Sequence, residues 1–412
     1  MDASFQDTLI YDWNFHNGDT FKPAKLTFDD ETLRDGLQGP SITDPPIKDK
    51  IEILHLMNDL GIQSAALGLP GAGPHVVRDV TQLAQEIVDQ KLAINANCSS
   101  RTMREDIQPI IDISQKTGLA IEACTFIGSS PIRTYTENWG FDFLLKCTEE
   151  AITFAVKNDM EVMFVTEDTI RSRPEDLKQL YTVAINSGAK RVCLCDTVGH
   201  ATPEGTYSLV RFIGDLIKEL GIDVEMDWHG HRDRGLSVAN SIAAIRAGVT
   251  RIHGCALGAG ERVGNTPMDA LLVNCKLMGW VDNDLKMLNK YCQKVSQALG
   301  VPLPNNYPII GEDAYKTGTG VHASAIIKAE QKESLWLVDY VYSGVPANML
   351  GREQIIEIGP MSGISNVTYW LKKRNIEPKK EWVDAIFRKA KLSKKTLSEE
   401  DIYSTIGMIK EE

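Results

Sequence analysis

The sequence predicts a (β/α)8 TIM barrel followed by a mainly helical C-terminal appendage. Three observations carry this expectation. Short apolar runs recur at intervals of roughly 30 residues between Lys25 and Trp280, segments with helical apolar spacing separate them, and nearly every run ends in a polar cluster.

The runs are LTFDD (26–30), SAALG (64–68), AINANC (93–98), IEACTF (121–126), VMFVTE (162–167), RVCLCD (191–196), VEMDWHGH (224–231) and RIHGCALG (251–258). They alternate little between apolar and polar residues, as strands buried on both faces do. Between them, Ile47 to Leu60 places Ile51, Leu54 and Met57 at three-residue steps on one side of a helix, and Trp139 to Val156 reads as another. Eight such units close into a barrel of about 250 residues. An open doubly wound sheet is the competing architecture, but no GxGxxG follows an early strand. Beyond about Asn283 the pattern changes. Helical sequence runs to Leu299, the Pro/Asn-rich linker VPLPNNYP follows, GEDAYKTGTGVHASAIIKA is a Gly-rich loop opening into a helix, and the tail from Glu381 to Glu412 is charged and helical. The expected organisation is an N-terminal extension over 1–24, a catalytic barrel over 25–282, and a C-terminal linker with accessory subdomains over 283–412.

Composition excludes several classes. The 412 residues carry 44 basic and 56 acidic side chains, a formal charge of −12 at pH 7, which argues against a nucleic acid or a membrane surface as partner. No apolar run approaches the roughly 18 residues of a membrane span. The opening MDASFQDTLIYDWNFHNGD lacks the basic and apolar regions of a signal peptide. Hydrophobic content of 43% and charged content of 24% are those of a folded globular protein. The 8 cysteines include no CxxC pair, so they read as buried thiols of a cytoplasmic protein, not as a disulfide framework or a zinc–cysteine site.

In such a barrel, chemistry gathers where strands end. Those ends carry Asp30, Arg34, Asp35 and Gln38 after the first run, Thr166 to Asp168 after the fifth and Asp196-Thr197 after the sixth. The seventh closes in Asp227 to His231, and the eighth leads into GAGERVGN (258–265). Residues two apart on a strand point to one side, so the imidazoles of His229 and His231 can converge on one metal. Asp35 from another strand end, with an amide oxygen such as that of Asn265, completes a mixed N/O set suited to Mn, Mg, Zn or Co with positions open to substrate. A 2-oxo acid could fill those positions, and the metal would polarise its ketone. Arg34 is either a rim ion pair with Asp35 or a fixed cation over a developing enolate or alkoxide oxygen. Glu167 is an exposed strand-end carboxylate or a group orienting a ligand. Thr197 begins a loop or donates to a substrate carboxylate, and the glycines of GAGERVGN form a turn or admit a ligand to the backbone. His322 and Tyr342 are isolated candidates in the appendage.

At these residues the chain resembles the metal-dependent barrel enzymes that include 2-isopropylmalate, citramalate and homocitrate synthases and 3-hydroxy-3-methylglutaryl-CoA lyase. The matching stretches are DETLRDGLQ (30–38), TEDTIR (166–171), CDTVGHATP (195–203), HGHRDRGLSVANSIAAIRAG (229–248), GAGERVGN (258–265) and GEDAYKTGTGVH (311–322), with fainter echoes in YSGVPANMLGR (342–352) and IGPMSG (358–363). The resemblance implies a divalent metal ion (Mg, Mn or Zn) on Asp35, His229, His231 and Asn265, with acetyl-CoA as co-substrate. Arg34 would stabilise oxyanion charge, Glu167 would support the metal, and Thr197 would bind the 2-oxo acid carboxylate. Gln38, Arg133 and Met163 are the further substrate-side candidates, and Gly260, Glu261 and Arg262 those for CoA. In the synthases, groups matching His322 and Tyr342 reach the partner's site across a domain-swapped homodimer.

The implied reaction is a Claisen-type condensation: a base takes a proton from the acetyl-CoA methyl, the enolate attacks the ketone, and water hydrolyses the thioester. Leu37 and the position of Cys255 are lyase-like, whereas GAGERVGN and the appendage with His322 are synthase-like. A synthase is the leading expectation. Homocitrate synthases carry an arginine four residues before the strand-5 glutamate; here Met163 stands there, flanked by Val162 and Phe164, which points to an apolar, 2-oxoisovalerate-like side chain. Phenylpyruvate, giving benzylmalate, and pyruvate, giving citramalate, stay open. Arg133, Arg232, Arg234, Thr317 and Ala66 depart from the family pattern, and a leucine-type regulatory domain is not expected. A lyase of the same barrel that depends on Cys255, and a non-catalytic metabolite-binding barrel, are the competing functions.

Overall fold

A computed structural model describes residues 6, 8–16, 18 and 20–410. The chain divides into two compact units, Thr20–Leu303 and Pro304–Glu412 with Met1–Asp19. The first unit is the expected barrel. Strands β1 (Thr27–Asp30), β2 (Ser64–Ala66), β3 (Asn95–Arg101), β4 (Ile121–Gly128), β5 (Val162–Glu167), β6 (Arg191–Asp196), β7 (Glu225–Gly230) and β8 (Arg251–Gly254) lie parallel in chain order. β1 closes the ring by pairing with both β2 and β8, with Phe28 opposite Ile252.

Only the fifth and sixth runs keep both limits; β3, β7 and β8 show why the others move. β3 runs on to Arg101 because its ladder with β4 continues to Phe126. β7 stops at Gly230, so His231 lies just outside it, bridged to Asn265. β8 stops at Gly254, and the chain then turns tightly through Leu257, whose φ of +56° breaks any extended run.

Helices α1 (Ile47–Asp59), α2 (Pro74–Gln90), α3 (Arg104–Thr117), α4 (Pro131–Glu137), α5 (Phe141–Lys157), α6 (Pro174–Asn186), α7 (Pro203–Leu220), α8 (Ser237–Ala247), α9 (Met268–Leu277) and α10 (Leu288–Leu299) surround or follow the strands. In α1 the buried stripe is Ile53, Leu54, Leu56 and Met57; Ile51 is only half-buried, because the stripe follows the i, i+1, i+3, i+4 pattern. α7 shows how the sequence sets an end. Thr202 accepts the Gly205 N–H at 3.2 Å, Pro203 takes the first turn, and Gly221 at φ +65° stops the helix. α10 belongs to the barrel unit, and its buried Tyr291 donates to the carboxylate of Asp30.

The barrel interior is ionic where such barrels usually pack branched aliphatics. Asp227 is fully buried and accepts from Arg251 Nε and Arg191 Nη1, each at 2.6 Å. Arg251 Nη2 also donates to Glu122 at 2.6 Å. Breaking such a buried array strands a charge, so its members hold one another in place.

The second unit is mainly helical, with α11 (Gly320–Glu330), α12 (Leu335–Tyr340), α13 (Ile364–Lys373), α14 (Lys380–Leu392) and α15 (Glu399–Lys410) beside a two-strand pair, β9 (Lys316–Thr317) and β10 (Ile355–Ile356). Trp370, Leu371 and Ile386 centre its largest apolar cluster. Among the described residues no helix is long and apolar enough to cross a membrane. All cysteines are free thiols, and all but Cys147 are buried.

Candidate active site at the barrel mouth

The strand ends enclose a cavity of about 250 Å³. Its wall is written in steps of two, because alternate residues of a strand face inward. β3 supplies Asn97 and Ser99, β4 Cys124 and Phe126, β5 Met163, Val165 and Glu167, and β6 Cys193 and Cys195, followed by Thr197. His229 and His231 continue the pattern at β7, and His253 stands on β8.

The two imidazoles meet as the spacing predicted. Their Nε2 atoms are 3.2 Å apart, and Asp35 Oδ2 lies 3.8 Å from one and 3.9 Å from the other. Asp35 Oδ1 accepts from Asn265 Nδ2 at 2.7 Å. The Asn265 Oδ1 atom and the Nδ1 atom of His231 are buried without a hydrogen-bond partner. Gly260 permits this packing: a Cβ there would strike the Asn265 amide and the Asp35 carboxylate, and its φ is +139°.

Electrostatics suit a cation. Burial pushes His231 down to about 3, with His229 adding to the effect, and burial lowers His229 as well. Both rings therefore stay neutral and keep a lone pair. Burial alone would raise the Asp35 carboxyl, but the Arg34 guanidinium and the Asn265 amide act against it, and the carboxyl lies well below the usual carboxylate range. One carboxylate, two neutral imidazoles and an orphaned amide oxygen form a donor set that fits a divalent ion.

Around this cluster, Arg34 Nη1 donates to Asp35 at 3.0 Å, and its guanidinium also pairs with Glu31. Burial raises the Glu167 carboxyl, partly offset by Arg133 and Arg34. Thr197 Oγ1 accepts the Asp168 N–H at 2.8 Å, which leaves its own hydrogen to donate. Gln38, Glu261 and Arg262 line the cavity, with Arg262 anchored to Asp233 at 2.8 Å and to the Thr197 carbonyl at 2.7 Å. Met163 lines the wall among Cys124, Cys193 and Cys195.

Other residues lie elsewhere. Arg133 is not part of the wall: it sits on α4, paired at 3.2 Å with Glu137 one helical turn on, and lies over Trp139. Arg232 and Arg234 serve the backbone, donating to the Val263 and His200 carbonyls at 2.6 and 2.7 Å. Cys255 is fully buried, and burial raises its thiol far above the range of a reactive cysteine. His322 and Tyr342 belong to the second unit, where their rings stack at 4.2 Å. Glu31, His253 and the thiols of β4 and β6 are wall residues that motif reading missed. The alternation of strand residues was the available signal for the thiols.

A closed parallel barrel whose mouth buries a carboxylate–imidazole cluster defines a barrel protein with side chains that could hold a metal ion. Residues 25–295 match the family described as HMGL-like, and the chain belongs to that family. It is 28% identical over 372 residues to a protein of Methanopyrus kandleri named "Probable 2-isopropylmalate synthase", covering 90% of this chain and 70% of that one. It is 29% identical over 383 residues to the homocitrate synthase of Pyrococcus abyssi, covering 93% and 99% of the two chains. Among solved structures, the HMG-CoA lyase of Bacillus subtilis superposes with a TM-score of 0.57 at 20% identity, over 69% of this chain and 96% of that one.

Proposed function

We propose that the chain is an acyltransferase condensing acetyl-CoA with a 2-oxo acid of apolar, 2-oxoisovalerate-like side chain, giving a 2-substituted malate and free CoA. The observation that carries this reading is the buried Asp35–His229–His231 cluster beside Arg34. In the overall change, the acetyl methyl loses a proton, its carbon bonds to the ketone carbon, and water takes the acyl group from sulfur.

Asp35, His229, His231 and Asn265 would hold a divalent ion, whose contribution when bound is Lewis acidity toward a carbonyl oxygen. The chain's own side chains do the rest. Thr197 donates its free hydroxyl hydrogen to the 2-oxo acid carboxylate, with Gln38 beside it. Arg34, pinned by Glu31 and Asp35, is a fixed cation where charge develops on oxygen. Leu69, Phe126, Met163 and Val165 receive the apolar side chain. Glu167, raised by burial, is suited to holding a proton beside the reacting groups. Gly260, Glu261 and Arg262 are assigned to CoA, and His322 with Tyr342 to proton transfer at the acetyl methyl, delivered across a domain-swapped homodimer. The enzyme is read as cytoplasmic.

The test is CoA release from acetyl-CoA with Mg²⁺ or Mn²⁺ across 2-oxoisovalerate, pyruvate, phenylpyruvate and 2-oxoglutarate, each with a chelator control. Metal-dependent release that favours 2-oxoisovalerate is the expected result. Preference for phenylpyruvate or pyruvate would rename the side chain. Silence on all four, with cleavage of 3-hydroxy-3-methylglutaryl-CoA instead, would overturn the reading in favour of a lyase.

A further inference from the structure

Two wall residues join the ionic barrel interior to the imidazole cluster. His253 is buried with Nδ1 2.6 Å from Glu31 Oε1 and Nε2 2.8 Å from Asp227 Oδ2, so both ring nitrogens face carboxylates. Asp227 is itself pinned by Arg191 and Arg251. At the other end, Glu31 Oε1 stands 3.3 Å from Nδ1 of His229, while its second oxygen pairs with Arg34. Glu31, His229 and His253 have the donor types of a second cation site. However, both nitrogens of His253 face carboxylates at hydrogen-bond distance, and Glu31 spends one oxygen on His253 and ion-pairs the other with Arg34, which describes a chain of polar contacts, not an open cage.

We propose that Glu31 and His253 are positioning residues that set the ring of His229 and the guanidinium of Arg34 from the charged barrel interior. The proposal rests on reading the Asp35–His229–His231 cluster as a cation site. A carboxylate opposite Nδ1 keeps the hydrogen on that nitrogen and turns the Nε2 lone pair toward His231 and Asp35. His253 makes the carboxylate a fixed one, because it ties Glu31 to Asp227, and Asp227 cannot move without unpairing the buried Arg251 and the partly buried Arg191. The same carboxylate holds Arg34, so one residue coordinates the aim of the ligand and of the cation beside it.

The test is Mn²⁺ affinity of the full-length, chelator-stripped protein, read by competition with a chromophoric chelator. It is run on the wild type, Glu31→Gln, His253→Leu and His253→Gln, with thermal melting of each metal-free sample. Glu31→Gln is expected to bind about 10- to 100-fold more weakly, the usual effect of removing a group that orients a ligand. His253→Leu should weaken binding in the same direction, and His253→Gln, whose amide can still donate to Glu31, should recover most of the loss. A purely structural role would lower the metal-free melting temperature and leave the Leu and Gln variants alike in affinity. Wild-type affinity in both Glu31→Gln and His253→Leu would overturn the proposal. Where Glu31→Gln fails to melt cooperatively, the His253 pair decides, and equal affinities there overturn it as well. A wild type that binds no Mn²⁺ is a different result: it sinks the cation reading, and this proposal with it.

Discussion

The chain offers imidazole chemistry from two places, built in opposite ways. At the barrel mouth, His229 and His231 are 7% and 4% exposed, lie on or just past β7, and face carboxylates. In the second unit, His322 is exposed in the first turn of α11, and its neighbour is the stacked, 48%-exposed ring of Tyr342. An imidazole that binds a cation must be neutral and aimed before the cation arrives, and burial among fixed charges achieves both. A group that exchanges a proton with a substrate needs access and freedom to tighten on it. In the proposed function the first place is a holder of the cation and the second a handler of protons.

The largest effect that could break this contrast is at the holder. His231→Ala is expected to reduce CoA release to the level of the chelated enzyme and to abolish tight Mn²⁺ binding. Retained metal-dependent turnover would end the assignment. Arg34→Ala should keep most Mn²⁺ binding yet lower kcat by about 10²- to 10³-fold, as loss of one oxyanion-stabilising group does. A change confined to KM would remove Arg34 from that role.

At the handler, His322→Ala is expected to cost about 10²- to 10⁴-fold in kcat, the usual range for an acid–base group, with Mn²⁺ affinity unchanged. Mixing inactive His231→Ala with inactive His322→Ala sharpens the contrast further. If the two sites complement each other between subunits, activity returns on mixing; persistent inactivity, with subunit exchange verified, would count against the domain-swapped arrangement.

How much of this was readable in advance follows from range in the chain. The eight strands, their order and the imidazole pair are local patterns, and local patterns survive in sequence. The same two-residue step carries Val165 between Met163 and Glu167, and Cys193 and Cys195 on the next strand, but an apolar residue or a thiol in that rhythm reads as core. Glu31 and His253 were beyond reach for another reason. They are neighbours only because β1 closes the barrel against β8, with Asp29 opposite His253. Arg133 was singled out by resemblance alone; it sits outside the cavity wall, pairs with Glu137 one helical turn away, and still acts on the Glu167 carboxyl.

The smallest expected effect compares two carboxylates five residues apart. Asp35 faces the Arg34 guanidinium and stays ionised despite its burial, whereas burial pushes Asp30 up to about 6 despite hydrogen bonds from Thr32 and Tyr291. An aspartate that titrates near 3.8 unfolded and about 6 folded keeps its proton longer in the native state. Native protein therefore binds more protons between those values, so stability falls as pH rises through that window and the cost is complete above it. Asp30→Asn removes the titration while keeping an oxygen that can accept from Tyr291. Denaturant unfolding of metal-free protein should give wild type and variant similar stabilities near pH 4. The variant should then gain on the wild type up to pH 7, by at most roughly 3 kcal/mol for a shift of this size. Asp35 works in the opposite sense, contributing stability above its unfolded titration range that is lost on acidification, so its effect cannot mimic a loss on raising pH. Parallel pH profiles for the two proteins would show that Asp30 is ionised in the folded barrel, and that Tyr291 and Thr32 outweigh its burial.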